Sequence, residues 1–126
     1  MPHLTLEYTG NVSGVIRPVE LLPELHEVLA REAWLDIRNC KSRAICREDY
    51  YIGQGTGRQA FVHLEIRLLE GRSSEVKHDI GESILAVLWD HLSTTPADLN
   101  LQLTVEIVDM QRAVYFKAER GGDGAA

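Results

Sequence analysis

Apolar and polar residues alternate from Pro2 to Tyr8, PHLTLEY, with Leu4 and Leu6 on one side, and this predicts a strand closed by Thr9, Gly10 and Asn11. Leu21, Leu22, Leu25, Val28 and Leu29 then recur on one helical face, so an amphipathic helix is expected to end near Trp34. Pro23 is placed in its first turn, where a missing N–H matters least. Lys41 to Tyr51 reads as a second extended stretch, ended by Gly53-Gln54-Gly55-Thr56-Gly57.

The pattern then restarts. Ala60 to Leu69, AFVHLEIRLL, is the strongest strand signal in the chain, and Gly71-Arg72-Ser73-Ser74 leads into a helix with Val76, Ile80, Ile84, Leu88 and Leu92 in register. Beyond Thr94-Thr95-Pro96, Leu101 to Val108 alternates as a strand, and Val114 to Ala118, VYFKA, predicts a short additional one. Pro2 matches Val62, His3 matches His63, Leu4 matches Leu64, Leu6 matches Ile66 and Asp49 matches Asp109, each pair 60 positions apart.

Two tandem β-α-β units, about 1–58 and 59–118, therefore form one α/β (α+β) domain, with 119–126 as a flexible tail that has little to bury. Right-handed crossovers make the strands of each unit parallel. Both helices are expected on one face of a four-stranded sheet. The other face is expected to be covered by a second subunit, because apolar residues flank both sides of the Ala60 to Leu69 strand.

The 126 residues suffice for one core without metal or disulfide staples. A net charge of −6 argues against nucleic acid or an anionic membrane as partner, and no apolar run reaches membrane-spanning length. The N-terminus lacks the layout of a secretory signal, so a cytoplasmic address is expected. Cys40 and Cys46 on one extended segment would lie roughly 20 Å apart, beyond disulfide reach, and read as reduced core or interface thiols.

The start of the chain holds the first candidate chemistry. Met1 precedes Pro2, and removal of methionine ahead of a small residue would leave proline with a free secondary amine. An α-amino group titrates near pKa ~8, and burial or neighbouring cations lower it, so such an amine can act as a general base near neutrality. Lys41, Arg43 and Arg47 share one side of their strand, either as an anion site or as a charged edge that resists aggregation. Arg72 stands at a helix start, where its charge opposes the macrodipole, and with the N–H groups of Ser73 and Ser74 it reads as a carboxylate cradle. His3 and His63 lack a second ligand at metal spacing and read as structural, and the Gly53 to Gly57 stretch lacks the lysine of a phosphate loop.

With MPHL at the start, the AFVHLEI strand, the Gly71-Arg72-Ser73 helix start and the duplication in place, the chain resembles the 5-carboxymethyl-2-hydroxymuconate isomerase family of the tautomerase superfamily, as far as about Lys117. The resemblance implies a homotrimer of duplicated β-α-β subunits, a polycarboxylate substrate, and no metal or cofactor. It implies Pro2 as catalytic acid/base and Lys41, Arg43 and Arg72 as substrate-binding cations. Lys41 departs from an Arg-x-Arg pair, keeping the charge but losing the planar two-pronged contact. Two other readings remain: a non-catalytic oligomeric anion-binding protein of the same fold, and a superfamily enzyme using Pro2 for hydration, dehalogenation or imine chemistry.

Overall fold

The computed structural model describes residues 1–121, and the expected tail beyond that point, 122–126, lies outside the described residues. The chain runs β1 (His3–Thr9), α1 (Pro18–Ala33), β2 (Lys41–Arg47), β3 (Gln59–Leu69), α2 (Ser74–His91) and β4 (Asn100–Met110), with single 3-10 turns at Gly10–Val12, Ile37–Asn39 and Arg112–Val114. The four strands form one sheet in the order β2-β1-β3-β4. β1 runs parallel to β2, β3 runs parallel to β4, and the two halves join through an antiparallel β1–β3 pair in which Leu6 faces Leu64.

Alternation decides which side of the sheet is dry. Leu4 and Leu6 of β1 and Ala60, Val62, Leu64 and Ile66 of β3 are fully buried and meet Leu21, Leu25 and Leu29 of α1 and Ile80, Ile84 and Leu88 of α2. Burying each such leucine or isoleucine contributes roughly 1.5–3 kcal/mol before conformational entropy is subtracted. The opposite parity carries Thr5, Glu7, His63, Glu65, Arg67, Thr104 and Glu106, with Phe61 and Leu69 at the ends of β3. That face is mainly polar, so the expected apolar covering surface is replaced by groups that pair among themselves, as Arg47 does with Glu7 at 2.6 Å.

Several boundaries differ from those expected. β2 stops at Arg47 rather than Tyr51, and the chain leaves the sheet through a loop in which Gly53, Gly55 and Gly57 take positive φ. At Gly55, φ is 75° and a Cβ would lie 2.6 Å from the Tyr51 ring, so no larger residue fits there without a shift. α1 starts three residues before Leu21 with Pro18 in the favoured first position, which moves Pro23 out of the first turn into the helix body. Val114 to Ala118 forms no strand: Val114 closes a 3-10 turn, and the segment after it pairs with no neighbour among the described residues. Alternation alone does not make a strand, and Val114 and Phe116 stand exposed instead.

The duplication also slips. His3 sits opposite Lys41 and His63 opposite Thr104, so equating the two histidines equates Lys41 with Thr104, an offset of 104 − 41 = 63 rather than 60. The expected match of Asp49 with Asp109 therefore fails, and the residue equivalent to Asp109 is Cys46.

Candidate active site at the start of the first strand

β1 begins where three other segments end or start. The Pro2 carbonyl accepts from Lys41 N at 3.1 Å, which fixes the head of β1 against the head of β2. Pro2 is buried, and because Met1 precedes it the chain's amine is carried one residue earlier. That amine has its pKa lowered from the ordinary 8.0, first by burial and then by the charges of Arg72 and Lys41, with Lys117 acting in the same direction. Cys40 acts in the opposite direction and by more than Lys117 adds, and burial pushes the Cys40 thiol's own pKa up.

Each cation arrives on a different element. Lys41 opens β2, and its ammonium donates to the Asn39 carbonyl at 3.2 Å. Arg72 lies in the turn between β3 and α2, and its guanidinium donates to the carbonyls of Leu69 and Ala33, both at 3.3 Å. Ala33 is the last residue of α1, so Arg72 also caps the negative end of the first helix. Ser73 is spent as the N-cap of α2, its hydroxyl accepting from Val76 N at 3.2 Å. Arg72 is thus both a structural clamp and a charge beside the amine.

Arg43 goes elsewhere. Its guanidinium reaches His3 Nδ1 at 2.9 Å, and His3 Nε2 lies 2.9 Å from the Tyr115 hydroxyl. Arg47 completes the division of the β2 cations by pairing with Glu7. Of the stripe read from the sequence, one member faces the amine, one faces His3 and one is neutralised. His63, at the matching place in β3, lies 2.6 Å from Thr104 Oγ1 and 3.4 Å from Glu106.

Lys117 and Tyr115, which the sequence did not single out, and His3, which it read as structural, lie at the same end of the sheet. Lys117 Nζ sits 3.7 Å from Met1 Sδ, a contact between residues 116 positions apart that no local pattern announces. Together with Arg38, Asn39, Lys41, Phe116, Ala118 and Glu119, Tyr115 and Lys117 line an open cleft of about 430 Å³. Arg38 is already bound to Asp36, whose carboxyl its hydrogen bonds hold down at about 2. The amine and the cleft share Lys41 and Lys117; Lys117 is paired with Glu119 at 3.1 Å, so Lys41 is the cleft cation whose contact is to a neutral carbonyl. A larger cavity of about 640 Å³ lies between α2 and β4; Ser74 lines it, but Pro2, Lys41, Arg43 and Arg72 do not.

An amine kept neutral by neighbouring cations can take a proton, and the same cations stabilise the anion that results. The family model for 5-carboxymethyl-2-hydroxymuconate isomerase matches residues 2–120. The 5-carboxymethyl-2-hydroxymuconate Delta-isomerase of Escherichia coli is 23% identical over 117 residues, covering 93% of both chains. A 5-carboxymethyl-2-hydroxymuconate isomerase from Deinococcus radiodurans R1 is 37% identical in its crystal structure, with a TM-score of 0.85 over 94% of this chain and 90% of that one. A fused 4-OT described as a symmetric trimer shares the fold at 18% identity, with a TM-score of 0.72 and 98% of each chain covered. The four-stranded mixed sheet with two helices is the tautomerase fold, and the chain belongs to the 5-carboxymethyl-2-hydroxymuconate isomerase family, a family of isomerases.

Proposed function

We propose that the chain, with Met1 removed, catalyses a 1,3 proton shift in an unsaturated 2-hydroxy polycarboxylate such as 5-carboxymethyl-2-hydroxymuconate. Pro2 nitrogen is the base and then the acid. The observation that carries this reading is the placement of the chain's amine among Arg72, Lys41 and Lys117, with its pKa lowered. Pro2 is itself buried, and burial disfavours the charged form of an amine.

The neutral amine takes the proton of the 2-hydroxyl or of an acidic carbon, leaving a dienolate. Lys41, Lys117 and Arg72 lie where its negative charge and the substrate carboxylates are expected, and they stabilise both electrostatically. The prolinium then returns the proton at a different carbon. Lys41 offers a point charge rather than a planar fork, which favours a carboxylate held by charge over one held in a fixed plane.

The working form is proposed to be a homotrimer in the cytoplasm. Supporting this are the two sheet edges, β2 and β4, left unpaired in a single chain, and the trimeric description of a protein with the same fold. Among the described residues no helix is long and apolar enough to cross a membrane.

The test is chemical. Intact mass of the purified protein is expected to show loss of one methionine, and a variant carrying extra residues ahead of Pro2 is expected to lose ketonisation of 2-hydroxymuconate. Full activity in that blocked protein removes Pro2 from the mechanism.

A further inference from the structure

Arg43, His3 and Tyr115 form a chain of contacts that the proposed proton shift does not use. Arg43 can only donate, and both of its terminal nitrogens approach His3 Nδ1, at 2.9 and 3.3 Å. Nδ1 must therefore offer a lone pair. A neutral imidazole with a bare Nδ1 carries its proton on Nε2, so the 2.9 Å contact to Tyr115 has His3 donating and the phenol oxygen accepting. The Tyr115 hydroxyl keeps its own proton free for another acceptor, and Tyr115 lines the cleft that holds Lys41 and Lys117. The rings meet edge to face with centroids 6.0 Å apart and planes at 66°, which limits rotation of the phenol.

The charges around His3 agree with this assignment. Burial lowers its pKa, and Arg43, Lys41, the chain amine and Arg67 of β3 act in the same direction, so the leading charges around His3 among the described residues all disfavour imidazolium. At the equivalent place in the second unit, His63 meets Thr104 and Glu106 instead, so the arrangement is not a by-product of the repeated fold.

We propose that Tyr115 is a ligand-binding hydrogen-bond donor of the cation cleft, aimed by His3, and that Arg43 is a positioning residue that acts by fixing the His3 tautomer. This rests on the cleft being the polycarboxylate site. It assigns Arg43 a role through His3 rather than a direct grip on substrate. An unsaturated 2-hydroxy acid presents a carboxylate or enolate oxygen that accepts one neutral donor alongside an ammonium group, which is what Tyr115 and Lys41 supply, while Lys117 is held by Glu119 at 3.1 Å.

Two measurements on the intact protein test it. Long-range proton–nitrogen NMR of the His3 ring is expected to show the Nε2–H tautomer in the unaltered chain and a mixture of tautomers in Arg43→Met. A dominant Nδ1–H tautomer, or no change on losing Arg43, overturns the positioning role. Calorimetric titration with 2-oxoadipate is expected to show roughly tenfold or greater weakening in Tyr115→Phe and in His3→Leu, the scale of one charge-assisted hydrogen bond. The double variant is expected to be no weaker than either single one, and His3→Gln, which can accept from Arg43 and donate to Tyr115, is expected to recover most of the affinity. Additive losses, unchanged binding in Tyr115→Phe, or no binding by the unaltered protein overturns the donor role. An active amine block with the expected tautomer and binding data shows that the Pro2 reading has failed, and an inactive amine block with overturned tautomer or binding data shows that the Tyr115 proposal has failed.

Discussion

His3 and His63 occupy equivalent places in two copies of one unit, yet their surroundings are opposite in charge. His3 faces Arg43 and is flanked by Lys41, whereas His63 faces Glu106 and is flanked by Thr104. Just before each histidine stands a buried residue, Pro2 in the first unit and Val62 in the second, but only the first lies beside a chain end with an ionisable amine. Duplication supplied a scaffold that packs the same way twice. The chemistry proposed above belongs to the first copy, where cations can depress an amine's pKa and hold an anion.

Exchanging the charges breaks the comparison most severely. Lys41→Thr with Arg43→Glu gives the first unit the polarity of the second, and kcat/KM is expected to fall by roughly 10²- to 10³-fold, the scale of one lost charge-assisted contact to substrate together with the loss of the Arg43–His3 contact. Thr104→Lys with Glu106→Arg in an amine-blocked chain is expected to create no activity, because Val62 lies inside the chain and has no free amine. Steady-state kinetics on 2-hydroxymuconate checks both, with circular dichroism confirming the fold. Activity from the second exchange would mean that cations alone suffice.

Arg72 separates structure from chemistry. It clamps Ala33 and Leu69 carbonyls while charging the site, so Arg72→Ala is expected to cost about 1–3 kcal/mol of stability, measured by urea unfolding, besides weakening dicarboxylate binding. Arg72→Lys tests the division: retained charge with a lost two-carbonyl clamp is expected to preserve affinity better than stability.

The helix ends differ on a smaller scale. α1 closes on Trp34 at φ 57°, a left-handed conformation that costs an L residue roughly 1–2 kcal/mol, whereas α2 closes on Leu92 at φ −93°. Trp34 is 92% exposed in the single chain, so Trp34→Gly is expected to raise stability by about 1 kcal/mol in thermal melts. A loss of stability together with a loss of oligomer would instead place Trp34 in a subunit contact.

The gentlest effect is on acid stability. His3, His26 and His91 all have folded pKa values below the ordinary 6.5, chiefly through burial. The unfolded chain therefore binds more protons in the window beneath 6.5, and stability falls as pH drops through it. Asp36 and Asp98, held low by hydrogen bonds from Arg38 and Arg58, add a loss below the ordinary 3.8. Urea midpoints between pH 8 and pH 4 are expected to decline monotonically.

Sequence periodicity was enough to place the helices and strands, because core positions such as Leu4, Leu6, Ile80 and Ile84 repeat at the spacing of their elements. It could not place Val114 to Ala118, since an alternating pattern does not reveal whether a partner strand exists. Nor could it detect the slip at β4, because strand register depends on loop lengths between units rather than on alternation. Pro2, Lys41 and Arg72 were legible as individual chemical types, and Lys41 and Arg72 both act on the amine at the head of β1. Arg43 was grouped with Lys41 by parity, yet its length lets it reach across to His3 on β1. Lys117 and Tyr115 were hidden, because only folding brings the end of the chain back over its beginning.

The central claim is that a neutral amine at the head of β1 is the base, and nitrogen NMR titration of the N-terminal proline in the native enzyme tests it most directly. The account predicts an amine pKa below the ordinary 8.0 that coincides with the lower inflection of the kcat/KM profile, activity rising with pH as the ammonium loses its proton. An amine that titrates at or above the ordinary value, or a rate profile whose inflection does not follow the amine's, would contradict it.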